Sequence, residues 1–138
     1  MSVDVSGWTR IGKSSNADFF EIEPQILAVV PVPDCVDTKE TAADSVRIQL
    51  EHLKSKGNRA GVIVFMDSVV EQTSGARGVY RDAPDSAFQV CYALVGGTPF
   101  GRAVGSVFLG LSPPKVPTKM FPTLEDAVAW IRTQLTGK

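Results

Sequence analysis

The hydrophobic run Gly61-Val-Ile-Val-Phe-Met66, near the middle of the chain, decides the fold. It is short, unbroken and rich in β-branched residues, which is typical of a strand buried on both faces of a parallel sheet. A second run of the same character, Phe88-Gln-Val-Cys-Tyr-Ala-Leu-Val95, follows further along the chain. We therefore predict that residues 61–66 and 89–95 are the central strands of one sheet.

Helices are predicted on both sides of the first of these strands. Asp37-Thr-Lys-Glu40 has the spacing of a capping box, which predicts a helix beginning there, and Gly57 is suited to a left-handed C-cap at its end. Further on, Thr73 or Ser74 would cap a short second helix, and Pro84 would end it.

Two more helices and a strand are predicted after the second central strand. Thr98 is suited to an N-cap and Pro99 to the first helical position, so a third helix is expected from there to about Leu111. Residues 118–121 form a brief strand, and Thr123 caps a final helix. The chain therefore alternates between strands and helices, which favours a mainly parallel sheet.

The N-terminal region completes the predicted topology. Residues 19–22 and 26–32 are expected to form a β-hairpin, whereas residues 1–17 are polar and are either an edge strand or a loosely held arm. The predicted fold is therefore α/β, with a mixed, mostly parallel sheet of four to five strands flanked by about four helices. Residues 1–138 are the size of one domain.

Charge and residue usage exclude several classes of function. The chain has 14 basic and 15 acidic residues, a net charge of -1, and no block of either sign, so a nucleic acid partner is not expected. Cys35, Cys91 and His52 do not have the spacing of a metal site, and no cofactor is predicted. The beginning of the sequence lacks the pattern of a signal peptide, and no stretch is apolar enough to be a transmembrane segment. We expect a cytoplasmic protein.

Three stretches of sequence carry a family resemblance. They are Ala93-Leu-Val-Gly-Gly-Thr-Pro-Phe-Gly-Arg-Ala-Val-Gly-Ser-Val-Phe108, Pro114-Lys-Val-Pro-Thr-Lys-Met-Phe121 and Glu125-Asp-Ala-Val-Ala-Trp130. Over residues 88–131 the chain resembles the SpoIIAA-like group of small bacterial proteins. That group is related in fold to the STAS domain of anti-sigma-factor antagonists and, more distantly, to lipid-carrying CRAL-TRIO domains. The resemblance implies a STAS-like fold and says less about activity, because one fold hosts unrelated functions.

The resemblance implies one candidate phosphoacceptor, Ser74. In phosphorylatable STAS antagonists, an Asp-Ser-Ser-Gly segment opens the helix after the central strand, and its serine is the target of an anti-sigma kinase. The matching segment in this chain is Gln72-Thr-Ser-Gly75, which keeps the Ser-Gly pair and lacks the acidic residue. The alternative is that Ser74 only caps a helix.

The third predicted helix is the candidate ligand or interface site. Apolar residues spread over a wide arc of it, and two glycines one turn apart would permit a close backbone approach. The helix therefore packs against the sheet, forms a dimer interface or covers a ligand. The candidate residues are Phe100, Gly101, Val104, Gly105, Phe108 and Leu111, with Val107 on the same arc.

No catalytic residue is predicted. Four acidic residues lie close in sequence, and such residues are more often solvated loop carboxylates than catalytic acids or bases. They are Asp67, Glu71, Asp82 and Asp85. We expect a non-enzymatic binding or regulatory module that acts through protein–protein contact or self-association, as a homodimer or with a regulatory partner. The alternative is a carrier or sensor of a small apolar ligand or lipid, or a peripheral membrane protein, acting through the third helix.

Overall fold

The computed structural model describes residues 3–111 and 115–136, and within them the chain forms eight strands and four helices. In chain order these are β1 (Thr9–Lys13), β2 (Ala17–Glu23), β3 (Ile26–Pro31), β4 (Cys35–Asp37), α1 (Lys39–Lys56), β5 (Ala60–Phe65), β6 (Val69–Gln72), α2 (Ser74–Asp82), β7 (Gln89–Val95), α3 (Pro99–Leu111), β8 (Thr118–Phe121) and α4 (Leu124–Thr136).

Six of the strands form one mixed sheet in the order β1-β2-β3-β5-β7-β8. β1, β2 and β3 pair antiparallel, whereas β3, β5, β7 and β8 pair parallel. β4 and β6 form a separate parallel pair. The α/β class, the mostly parallel sheet and the four helices are therefore confirmed. Of the two strands predicted to be central, β5 is, whereas β7 lies one strand from the edge, between β5 and β8.

The predicted number of strands, four to five, is wrong. The main sheet has six strands, and β4 and β6 add two more. β1 is an antiparallel edge strand in the region for which an arm was the alternative. β4 and β6 span only three and four residues, which is too short for an alternating pattern to be recognised.

Helices cover the two faces of the main sheet unequally. On one face, Val62 and Tyr92 pack in a core with Leu53 of α1, and α2 packs against α1. α3 covers the same face further along, where Val104 packs against Met66, which directly follows β5, and Leu94 of β7. On the opposite face α4 packs alone, through Ile131, over β5 and β7.

Threonine residues cap the helices, and one predicted cap differs. α1 begins after Thr38, whose side chain and that of Thr41 form the capping box, so the box predicted at Asp37–Glu40 is displaced by one residue. The carboxylate of Asp37 is not free to cap, because it points inwards and accepts a hydrogen bond from the hydroxyl of Thr41 at 2.6 Å. Of the two candidates at α2, Thr73 is the cap.

Candidate functional site

The most distinctive surface of the protein lies at the carboxyl ends of adjacent parallel strands. Among the side chains that the structure describes, the large hydrophobic ones that are clearly exposed lie in segments following the ends of β3, β5 and β7. The carboxyl end of a parallel sheet is where α/β proteins most often bind their ligands. We name these residues the carboxyl-edge surface: Val32, Val36, Val70, Phe100 and Val107.

The β4–β6 pair contributes two adjacent valines to the carboxyl-edge surface. Cys35 pairs with Val69, and both side chains are buried beneath the pair. Val36 and Val70, the residues that follow them, face outwards, 42% and 44% exposed. α3 packs against β6, the strand that carries Val70.

α3 supplies the other part of the surface. Phe100 and Val107 are 53% and 52% exposed, and Ala103, which lies between them, is also exposed. These residues are three and four positions apart, a spacing that places them on one stripe of the helix. Val104 lies partly buried on the inner side. The side chains of the other two candidates, Phe108 and Leu111, lie outside the part of the chain that the structure describes.

Gly101 and Gly105 face the protein itself and not the carboxyl-edge surface. Both are buried, and a Cβ on Gly101 would come within 3.0 Å of the Cα of Asp67. A Cβ on Gly105 would meet the flexible thioether of Met120. The close approach that these glycines permit is therefore a packing contact of α3 within the chain, which is one of the three alternatives that the sequence left open.

Asp67 holds the beginning of α3 against the end of β5. Its carboxylate accepts hydrogen bonds from the backbone N–H groups of Gly97 and Thr98, at 3.0 and 3.1 Å, and from the Thr98 hydroxyl at 2.8 Å. The Thr98 hydroxyl oxygen in turn accepts from the N–H of Gly101, at 3.0 Å. Asp67 therefore fixes the position of the helix that carries Phe100.

The other acidic residues named from the sequence have partners of their own or face solvent. The guanidinium of Arg81 lies 2.8 Å from Asp82 and lowers the pKa of that carboxyl group by hydrogen bonding. Asp85 accepts from the backbone N–H of Ala87 at 3.0 Å, and Glu71 is exposed. In the described residues, no group of three or more His, Cys, Asp or Glu side chains is placed to hold a metal ion.

Ser74 is exposed in the first turn of α2. Its hydroxyl is not needed as the cap, because Thr73 accepts from the N–H of Ala76 at 3.1 Å. The next residue, Gly75, packs against Lys39, where an added Cβ would lie 3.0 Å from the lysine Cβ. Ser74 is therefore accessible and near the base of a lysine side chain.

A cavity that the sequence did not reveal lies behind the β4–β6 pair. Its volume is about 50 Å³, and residues of the pair, α1, α2 and the main sheet line it. The buried carboxylate of Asp37 faces it and accepts a hydrogen bond from the Tyr80 hydroxyl at 2.6 Å. Burial, and next the charge of Asp37, raise the pKa of Tyr80. No sequence signal indicates the cavity, because separate elements from the whole chain line it.

Comparisons with known proteins give a family and one similar structure. No curated protein matches the sequence. The fold is similar to that of an uncharacterised protein of the DUF3478 family from Shewanella loihica PV-4, described as having a SpoIIAA-like fold, with a TM-score of 0.46 and 14% identity over 95% of this chain and 98% of that one. Among the described helices, none is long and apolar enough to cross a membrane. Residues 20–135 match the model of a domain of unknown function, DUF7793, and the chain therefore belongs to the DUF7793 family.

Proposed function

We propose that this protein is a non-enzymatic binding module that self-associates as a homodimer through the carboxyl-edge surface. The observation that carries the proposal is that exposed hydrophobic side chains lie both on α3 and on the β4–β6 pair, and that α3 packs against β6. Exposed apolar patches on a folded domain mark interaction sites when they reach a few hundred Å². The fixed position of α3, held by Asp67, suits a preformed docking surface.

A second copy of the chain is the partner that this surface fits best. The net charge of -1 means that two copies repel each other only weakly. Symmetric pairs of identical chains are the commonest oligomers, and in them the same patch meets itself. A standard interface buries about 800 Å² per partner, so the exposed valines and Phe100 would form its apolar centre and neighbouring polar groups its rim.

Lipid carriage is less well supported than self-association. Sites for drug-sized ligands enclose roughly 300–1,000 Å³. The cavity behind β4 and β6 has a volume of only about 50 Å³. Both cysteines are free and buried, which agrees with the reducing cytoplasm that we propose as the location.

A charge placed on the exposed face of α3 tests the proposal. Ala103→Asp should convert the dimer to a monomer, because an interface centre does not tolerate an unpaired carboxylate. Ala129→Asp is the matched control, since Ala129 is also an exposed helical alanine but lies on α4. Light scattering on the eluted protein measures the mass. A monomeric parent protein, equal effects of the two variants, or a retained lipid seen by native mass spectrometry would contradict the proposal.

A further inference from the structure

Among the described residues, those that line the cavity behind β4 and β6 present mostly apolar surface and one charged group. Val29, Val64 and Leu94 supply apolar surface from the main sheet, and the Asp37 carboxylate faces the space from the end of β4. A water molecule needs about 10–15 Å³, so a volume of about 50 Å³ has room for about four of them, or for a ligand of similar size.

Asp37 is buried without a cationic partner in the described part of the chain. It is 8% exposed, and its oxygens accept from the hydroxyls of Thr41 and Tyr80, both at 2.6 Å. No Lys, Arg or His side chain of the described ranges lies within 4.0 Å of it. Arg77, on the neighbouring helix, donates to the backbone carbonyl of Gln72 instead, at 2.6 Å.

This arrangement leaves a carboxylate with unused hydrogen-bonding capacity facing the cavity. An ionised carboxylate offers about four acceptor positions, and two neutral hydroxyl groups occupy only part of them. A buried charge without an opposite charge is costly, and a cation that reaches it removes this cost. The side-chain amide of Gln72, which also lines the cavity, offers a further acceptor.

We propose that the cavity binds a small organic cation, a primary alkylammonium of about four non-hydrogen atoms, with its ammonium group on Asp37 and its alkyl chain against Val64 and Leu94. Binding of this ligand is separate from the proposed dimer, because the cavity lies on the inner side of β4 and β6. So small a ligand is expected to bind with millimolar affinity.

Titration of the full chain with n-propylammonium chloride at constant ionic strength tests the site. We expect saturable shifts of the amide NMR signals of β4, β6 and the end of β5. n-Propanol, which has the same size and no charge, should bind at least about tenfold more weakly, because its hydroxyl can donate to the Asp37 carboxylate but does not bring the opposite charge that the ammonium group supplies.

Two variants separate the charge from the space, with a third as control. Asp37→Asn removes the charge, and Val69→Ile fills part of the cavity; both should weaken n-propylammonium binding by at least about tenfold, while Asp126→Asn, at an exposed position of α4, should not. If Asp37→Asn fails to fold, the comparison with n-propanol still tests the requirement for charge, and Val69→Ile still tests whether the ligand occupies the cavity. Equal binding of the alcohol and the cation, unchanged binding in Val69→Ile, or no saturable shift, as for a cavity that holds only water, would overturn the proposal.

Discussion

Replacing Phe100 by Ala gives the sharpest test of the proposed dimer, because the effect can be estimated from the structure. The side chain is 53% exposed in the single chain. An aromatic side chain buries about 150–250 Å² in all, so docking would remove about 100 Å² more and contribute about 2.5 kcal/mol. A symmetric dimer contains two copies, and the substitution should therefore weaken it by about 5 kcal/mol, or roughly three to four orders of magnitude in Kd.

Sedimentation of a dilution series measures this change directly. The melting temperature of the single chain, read at concentrations below dimer formation, should change little, because the ring is half outside the core. A Kd that stays within about tenfold of the parent value would refute the reasoning, since burial of the ring at the interface requires a larger loss. A large fall in the melting temperature of the monomer would show instead that Phe100 serves the fold.

Three further predictions follow from the described contacts. Gly101→Ala should lower the free energy of unfolding by about 1–3 kcal/mol in denaturant melts, because the added methyl group collides with Asp67; an unchanged or higher stability would contradict the close packing. Burial raises the pKa of Cys35 to about 11 and of Cys91 to about 12, from 9.0, so the unfolded chain loses these protons first. The stability that the two protonated thiols contribute should therefore be fully present below pH 9 and should be lost as the pH rises towards 12. Both thiols should resist alkylation at pH 8 until the chain unfolds. If the chain is a kinase substrate, mass spectrometry should find the phosphate on Ser74, which is exposed at a helix N-terminus, and modification at another residue would count against the STAS-like switch.

The sequence predicts the elements whose local pattern is strong. β5 and β7 are continuous apolar runs, and α3 and α4 begin after threonines suited to N-caps, so their positions were predictable. β6 was not, because Val69–Gln72 has only two apolar residues in a strand of four, and its pairing with β4 depends on contacts distant in sequence.

The candidate site was predicted only in part, and the errors have physical causes. Phe100 was identified because α3 is unusually apolar, and its side chain is exposed, as expected for a residue of an interaction surface. For Gly101 the sequence shows that a close approach is permitted but not which side of the helix is approached. Asp37 has the spacing of a cap, and the competing hydrogen bonds from Thr41 and Tyr80 that draw it inwards come from the tertiary fold.

The β4–β6 pair is a single layer between the cavity and solvent, and its two faces therefore have different surroundings. Cys35 and Val69 point into the cavity, whereas the adjacent Val36 and Val70 point to solvent. Because side chains alternate along a strand, a slip of one residue would exchange the two faces. Insertions and deletions within β4, Cys35–Asp37, should therefore be tolerated far less than substitutions, since a shift of one residue there would bury the outer valine and expose the thiol at the same time.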